Sequence, residues 1–293
     1  MMRVTEGSAS RNALVGLQTQ ASRLADLQSQ LSSGRQITKP SDNPVGTVSA
    51  LQLRTQLKQN TQYAANGTDG MGWLTTVDNA YSSINSQLQQ VRTLVLQGMN
   101  TGAASAGSNQ ALAQQVDAAR SGILSEANAS YLGRPVFGGT TASSVAFDST
   151  GTYVGDSGTV SRTIDANTNI DINTPGTTPF GPNGNNVFDL LSTISSDLVS
   201  NPSALSGDLS ALDSRMSAIS SDQALSGAKY SRIQSVQTAN SSNNIQLQSQ
   251  LSDLQDIDLA NMAVQVSTAS ASYQAALATT AKISQTSLLD FLR

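Results

Sequence analysis

The sequence predicts a mainly α protein: an elongated antiparallel helical bundle or coiled-coil rod that carries a small β-rich insertion domain. Three observations lead there. Apolar residues recur in alternating steps of three and four, which draws one apolar stripe along a helix. Such stripes stand at both ends of the chain. One central stretch abandons the pattern for Gly, Pro and short β-branched pieces separated by turn residues.

Leu14, Leu17, Ala21, Leu24 and Leu31 place a first amphipathic helix near the start, with Gln28 as a polar interruption and Leu27 widening the stripe. The stretch "LSSGRQITKPSDNPVG", residues 31–46, then stops it. Gly34 suits a left-handed C-cap, and Pro40 biases Lys39 away from helix. Asn43 followed by Pro44 reads as an N-cap with proline at the first helical position. Gly34, Pro40, Asn43 and Pro44 thus form an interdomain joint, from which a helix over about 45–98 departs. Within it Leu74, Val77, Tyr81, Ile84, Leu88, Val91 and Val95 keep the three-four lattice without a miss, and Trp73 and Tyr81 read as core aromatics. A further helix over about 108–130 uses Leu112, Val116, Ala119 and Ile123. Residues 133–186 hold "RPVFGG", "SSVAF", "GTYVG", "GTVSRTI" and "NIDI", which read as strands. Helix resumes over about 187–199 and again over about 203–257, where Gly227 and "TANSSNN", residues 238–244, are expected to loosen it. The last run, Leu259, Met262, Val266, Ala269, Tyr273, Ala276, Thr280 and Ile283, ends in Leu288, Leu289, Phe291 and Leu292.

Each terminal helix has a narrow apolar face and few charges, so alone it is marginal in water. The two must pair with each other or with neighbouring subunits, and ordering coupled to association is the expectation for a lone chain. The residues expected to carry assembly are Leu14, Leu17, Leu24, Leu31, Leu259, Val266, Tyr273, Leu277, Ile283, Leu288, Leu289 and Phe291.

Composition narrows the function. Leu, Ile, Val and Phe make up about 22% of the chain, close to the level of roughly 20% below which disorder sets in, so a large globular core is not expected. Charged residues are only 12%, the formal net charge is -4, and no basic patch for nucleic acid is visible. With neither Cys nor His, thiolate nucleophiles, imidazole bases, disulfides and the usual zinc, copper and iron ligands are excluded. No apolar run has the length of a cleaved secretory signal or a membrane span. No cofactor, metal, membrane insertion or enzyme activity is expected.

The remaining candidate sites have structural readings. Asp165, Asn167, Asn169 and Asp171 alternate like calcium ligands, but Ile170 and Gly176 stand where the loop needs glycine and glutamate. Asp256 and Asp258 sit just ahead of the last helix, where acids suit the positive end of its dipole, and Asp253 completes that cluster. "GTDGMGW", residues 67–73, lacks the lysine of a phosphate loop and reads as a turn or small-residue packing spot. Asn66, Asn128 and Asn240 fall in N-x-Ser/Thr triplets, which carry little weight without a signal peptide.

Several of these segments resemble the flagellin superfamily. The joint over 31–46 is similar to the family's N-terminal signature, with Asn43 where aspartate is commoner. "LQQVRTLVLQGMNTG", residues 88–102, resembles the family's rod-domain helix; "YLGRPVFGGTT", residues 131–141, resembles its exit into a variable outer domain; "NNVFDLLSTI", residues 185–194, resembles the return. The segment 256–293, with "YQAAL" and "SLLDFL", is closer to members that join hook to filament than to filament flagellin. The resemblance implies an extracellular axial protein, exported unfolded through the flagellar type III channel. It implies an inner coiled-coil domain from 1–44 with 256–293, a rod domain from 45–132 with 187–255, and an outer domain over 133–186. The partners implied are further copies of the chain, the hook-side junction protein (hook-associated protein 1), flagellin and an export chaperone.

Overall fold

The structure, a computed structural model, describes residues 6–100 and 106–291, and of their side chains all but those of 6, 7, 9, 10, 106 and 283–291. The elements follow in the order α1 (Glu6–Ser33), α2 (Pro44–Met99), α3 (Ala106–Ala127), β1 (Ser130–Tyr131), β2 (Arg134–Pro135), β3 (Ser161–Asp165), β4 (Thr168–Asp171), α4 (Thr177–Phe180) and α5 (Val187–Ser200). A 3₁₀ turn (Pro202–Ala204), α6 (Leu205–Gln255) and α7 (Leu259–Phe291) complete it. Mainly helix with a small β region is therefore the observed class. The chain divides into two units, Met1–Gln59 with Asn243–Arg293 and Asn60–Ser242, and both α2 and α6 contribute to each.

In the terminal unit α1 and α7 lie against each other, so each finds its partner within one chain. Their seam is thin. Met262 and Ala269 are buried, while Val266, Tyr273, Ala276 and Thr280 are half-buried on the same face. From α1 come Ala13, Leu17, Ala21, Leu24, Leu27 and Leu31, all half-buried. Two sequence expectations need correcting here. The stripe passes through Leu27 and leaves Gln28 in solvent, because a one-residue rotation exchanges an amide for an apolar side chain. The same rotation puts Ala13 on the seam and leaves Leu14 52% exposed.

The central unit contradicts the expectation of no sizeable core. The stripe from Leu74 to Val95 is buried at every position, and with Leu112, Val116, Ile123, Leu191, Ile194, Leu198, Leu205, Leu212 and Ile219 it joins one continuous apolar cluster. Whole-chain composition hid this cluster because the aromatics are concentrated in one place. Phe137, Phe147, Phe180 and Phe188 are all buried with neighbouring ring centroids 5.1 to 6.2 Å apart, and Tyr81 packs at a tilt against Phe137 at 5.1 Å. Each large side chain so buried contributes about 1.5–3 kcal/mol.

Along α2 and α6 polar side chains pair in antiparallel register. Asn60 donates to the Asn240 carbonyl at 2.8 Å, the Tyr81 hydroxyl donates to the buried Asp222 carboxylate, and Arg92 meets Asp213 at 2.8 Å. Burial and the nearby charge of Asp222 both push the Tyr81 hydroxyl far above its ordinary pKa. Contrary to expectation, α6 runs unbroken through Gly227 and residues 238–244. There Thr238 and Ser242 return their hydroxyls to the carbonyls four residues earlier, at 3.1 and 3.2 Å, which satisfies them without leaving the helix.

The β region is sparser than the sequence suggests. β1 pairs with β2, and β3 pairs with β4 in an antiparallel hairpin with an irregularity between Thr163 and Asp165. "SSVAF" and "GTYVG" make only the bridge Phe147–Tyr153, with Val154 N–H donating to Ala146 at 2.9 Å and Asp148 N–H to Thr152 at 3.0 Å. In place of a ladder, burial of Phe147 against other rings and side-chain amide bonds hold this segment. Glycines let neighbouring segments approach α2: a Cβ at Gly70 would sit 3.2 Å from Ile233 of α6, 3.4 Å from Ile172 just after β4 and 3.8 Å from Arg162 of β3, and one at Gly72 would sit 2.5 Å from the Tyr131 hydroxyl of β1.

Candidate assembly face and helical joint

The joint is built by caps. Gly34 takes φ +68° at the end of α1, a conformation favourable to glycine. Asn43 caps α2: its Oδ1 accepts from Gly46 N–H at 2.8 Å, and its carbonyl accepts from Thr47 N–H at 2.9 Å. Pro44 follows as the first helical residue. Pro40 lies in the exposed turn between them. All four joint residues therefore occupy one short segment.

Two residues beyond those four belong to the same site. Gly46 is buried because Ile37 folds over the first turn of α2; a Cβ at Gly46 would lie 2.7 Å from Ile37 Cδ1. Asp42 gathers the turn, accepting from Thr38 N–H at 3.2 Å, Thr38 Oγ1 at 2.8 Å and Lys39 N–H at 3.0 Å. Desolvation alone would raise the Asp42 carboxyl, but these donors and the Lys39 ammonium outweigh it and hold its pKa below the ordinary value of 3.8. Lys39 in turn is raised, first by its hydrogen bond and charge contact with Asp26 at 3.0 Å and then by Asp42. The pattern T-x-x-x-D ahead of an N-cap was the available signal for Asp42.

The second break in the helices, between α6 and α7, is bonded to the first. Gln36 N–H donates to the Gln255 carbonyl at 2.6 Å, Ile257 N–H donates to the Gly34 carbonyl at 3.2 Å, and Arg35 and Asp256 form an antiparallel bridge. Gln255 is itself buried, and its Oε1 accepts from Arg54 at 2.8 Å. Asp258 caps α7, accepting from Ala260 N–H at 2.9 Å and Asn261 N–H at 3.2 Å, and Asp256 accepts from Ser252 Oγ at 2.6 Å. This long-range pairing, 219 to 223 residues apart in the chain, left no local trace in the sequence.

Among the described side chains, the expected assembly residues divide into two groups. Leu17, Leu24, Leu31, Val266 and Tyr273 are half-buried in the α1–α7 seam. Leu14, Leu259 and Leu277 are exposed at 52%, 61% and 42%, together with Val15 and Val264. The side chains of Ile283, Leu288, Leu289 and Phe291 lie outside the described residues. A groove of about 240 Å³ runs between the two helices, with Gln20 and Arg23 on one wall and Val264, Thr268 and Ser272 on the other. Exposed Val45, Val48 and Leu51 add a second apolar strip on the first turns of α2.

The remaining motifs are structural struts. Asp165 Oδ1 accepts from the next amide, and Asp171 accepts from the Ser161 hydroxyl across the hairpin. Asn66 donates to Thr163 at 2.8 Å and Asn240 to Ile164 at 2.9 Å, which ties β3 to both long helices. Asn128 donates to the Phe147 carbonyl at 2.9 Å and accepts from the amides of Ala146 and Phe147. Among the described residues no helix is long and apolar enough to cross a membrane.

Paired amphipathic ends, each broken from a long helix at a capped joint, define a helical protein of the bacterial flagellin type. The N-terminal helical region of bacterial flagellin matches residues 4–142 and the C-terminal helical region matches residues 209–292; the chain belongs to the flagellin family. Within that family it is similar to flagellar hook-associated protein 3 of Salmonella typhimurium, 25% identical over 167 residues, which is 56% of this chain and 52% of the relative. It is also similar to a flagellin of Bacillus subtilis, 31% identical over 101 residues, covering 34% of this chain and 33% of the other. The chain spans about half the length of the hook-associated relatives it matches. Its fold is that of a flagellar hook-associated protein structure from Vibrio parahaemolyticus, with TM-score 0.67, 21% identity, and coverage of 73% of this chain and 100% of the other.

Proposed function

We propose that the chain is a structural subunit of the bacterial flagellum at the junction of hook and filament. The observation that carries this reading is the α1–α7 pair, which covers only part of each helix's apolar surface and leaves Leu14, Val15, Leu259, Val264 and Leu277 facing outward. An apolar strip of that kind on a narrow helix pair is stabilised by covering it, and sister subunits stacked along an axis supply the cover. The match to hook-associated protein 3 over more than half of this chain favours the junction over the filament itself.

On this reading residues 1–44 with 256–293 form the inner layer, 45–132 with 187–255 the rod, and 133–186 project outward. Its neighbours are further copies of itself, hook-associated protein 1 on the hook side and flagellin on the filament side. An export chaperone and the flagellar type III route deliver it outside the cell, and its role is adhesive between subunits rather than enzymatic.

Two measurements test the proposal together. A tagged copy should sit at the base of the filament on isolated flagella, and deleting the gene should release flagellin monomers into the medium. Label along the whole filament, or a deletion strain that exports no flagellin, assigns the chain to filament flagellin instead. Label away from the flagellum, for example on a secreted adhesin, removes both readings.

A further inference from the structure

The turn "GPNGNN", residues 181–186, contains an Asn-Gly pair at Asn183–Gly184, both exposed. Gly184 has φ +82°, a Cβ there would meet nothing within 4 Å, and its amide makes no hydrogen bond among the described residues. The turn is closed by Asn185 N–H donating to the Pro182 carbonyl at 3.0 Å. From it the Asn183 side chain reaches across to another segment: its Oδ1 accepts from Tyr153 N–H at 2.7 Å and its Nδ2 donates to the Tyr153 carbonyl at 3.2 Å. Asn186 adds a parallel strut, donating to the Gly151 carbonyl at 3.0 Å. Asn183 is thus the amide clamp between the turn and the strap over 148–154.

We propose that Asn183 is a self-modification site whose co-reactant is water, and that its conversion opens this clamp. The Gly184 backbone nitrogen, after losing its proton to a base in solution, attacks Asn183 Cγ; a C–N bond forms and Nδ2 leaves as ammonia with a proton taken from water. Water then opens the resulting five-membered imide at either carbonyl, giving aspartate or isoaspartate. The absence of a side chain on residue 184 is what lets the nitrogen reach Cγ. The product has a carboxylate where Nδ2 stood, so the donor to Tyr153 is lost and two acceptors face each other. Isoaspartate also lengthens the backbone of the turn. The chain contains its own control in Asn66–Gly67, which lies in the interior of α2 with Gly67 buried and Asn66 bonded to Thr163 at 2.8 Å.

The test incubates the full chain in mildly alkaline buffer, folded and in concentrated urea, and follows both Asn-Gly peptides by mass spectrometry as NH is replaced by O. Folded protein should convert Asn183 several-fold faster than Asn66, and the two rates should converge in urea. Asn183→Asp should lower the thermal midpoint, and Asn183→Gln should show no conversion at that position. Equal rates in the folded chain, conversion of Asn66 first, or an unconverted Asn183 over a period in which the urea sample reacts would each overturn the proposal. An unchanged midpoint in Asn183→Asp would overturn the claim that the clamp opens.

Discussion

Replacing Val266 and Leu277 separately by aspartate distinguishes a seam within the chain from a face between chains. Val266 is half-buried against α1, whereas Leu277 keeps 42% of its surface in solvent. Complete burial of a valine side chain contributes about 1.5–3 kcal/mol, and Val266, with most of its surface covered, keeps about 1–2 kcal/mol of that. A carboxylate at that position must also be dehydrated or swing out, which brings the expected loss for Val266→Asp to about 1–3 kcal/mol. Leu277→Asp should cost the isolated chain less, about 1 kcal/mol or below, since its contact within the chain is partial. In an assembly the order changes. If neighbours cover Leu277, every subunit then buries a charge without a partner, and polymerisation should fall by an order of magnitude or more. Thermal melting followed by circular dichroism reads the first quantity, and sedimentation of assembled material reads the second. Wild-type assembly by Leu277→Asp, or a melting loss equal to that of Val266→Asp, would refute the division into seam and outer face.

Two further outcomes follow from the central unit and the joint. Gly151→Ala meets both a left-handed φ of +89° and a Cβ position 2.5 Å from Phe188 Cβ, so strain of about 1–2 kcal/mol adds to overpacking of about 1–3 kcal/mol; urea unfolding should show a lower midpoint at unchanged slope. At the joint, the Asp42 carboxyl has a folded pKa below its unfolded 3.8, so the stability it adds is present above 3.8 and is lost as pH falls through the lower folded value. The difference in thermal midpoint between wild type and Asp42→Asn should therefore be largest near neutral pH and shrink on acidification through that range; a difference that grows with acid would show the sign to be wrong.

Local patterns carried most of the helices into view. The lattice from Leu74 to Val95 needs only its own spacing to announce a buried face, and Asn43–Pro44 needs only its own chemistry to announce a helix start. Leu27 against Gln28 shows where that resolution ends: adjacent residues differ by 100° around a helix, and a stripe of alanines and glutamines discriminates weakly between two registers. What stayed hidden is non-local. Phe147 and Tyr153 read as strand residues because aromatics favour strands, yet their partners are rings rather than a ladder. Asn66, Asn128 and Asn240 gave no sign of being struts, since an amide's partner carbonyl can lie anywhere in the chain. For the same reason the two breaks could each be placed from sequence while their mutual bonding could not.

That bonding has a mechanical consequence. A twist applied to α1 reaches the backbone at Gly34 and Gln36, and there it is passed at once to Ile257 and Gln255 through amide–carbonyl contacts as well as forward into α2. Load entering by either end of the polypeptide is therefore split between two long helices before it travels further, and no single peptide segment carries the whole torque. For a chain placed in a rotating shaft, as proposed above, this is the difference between a splice and a thread.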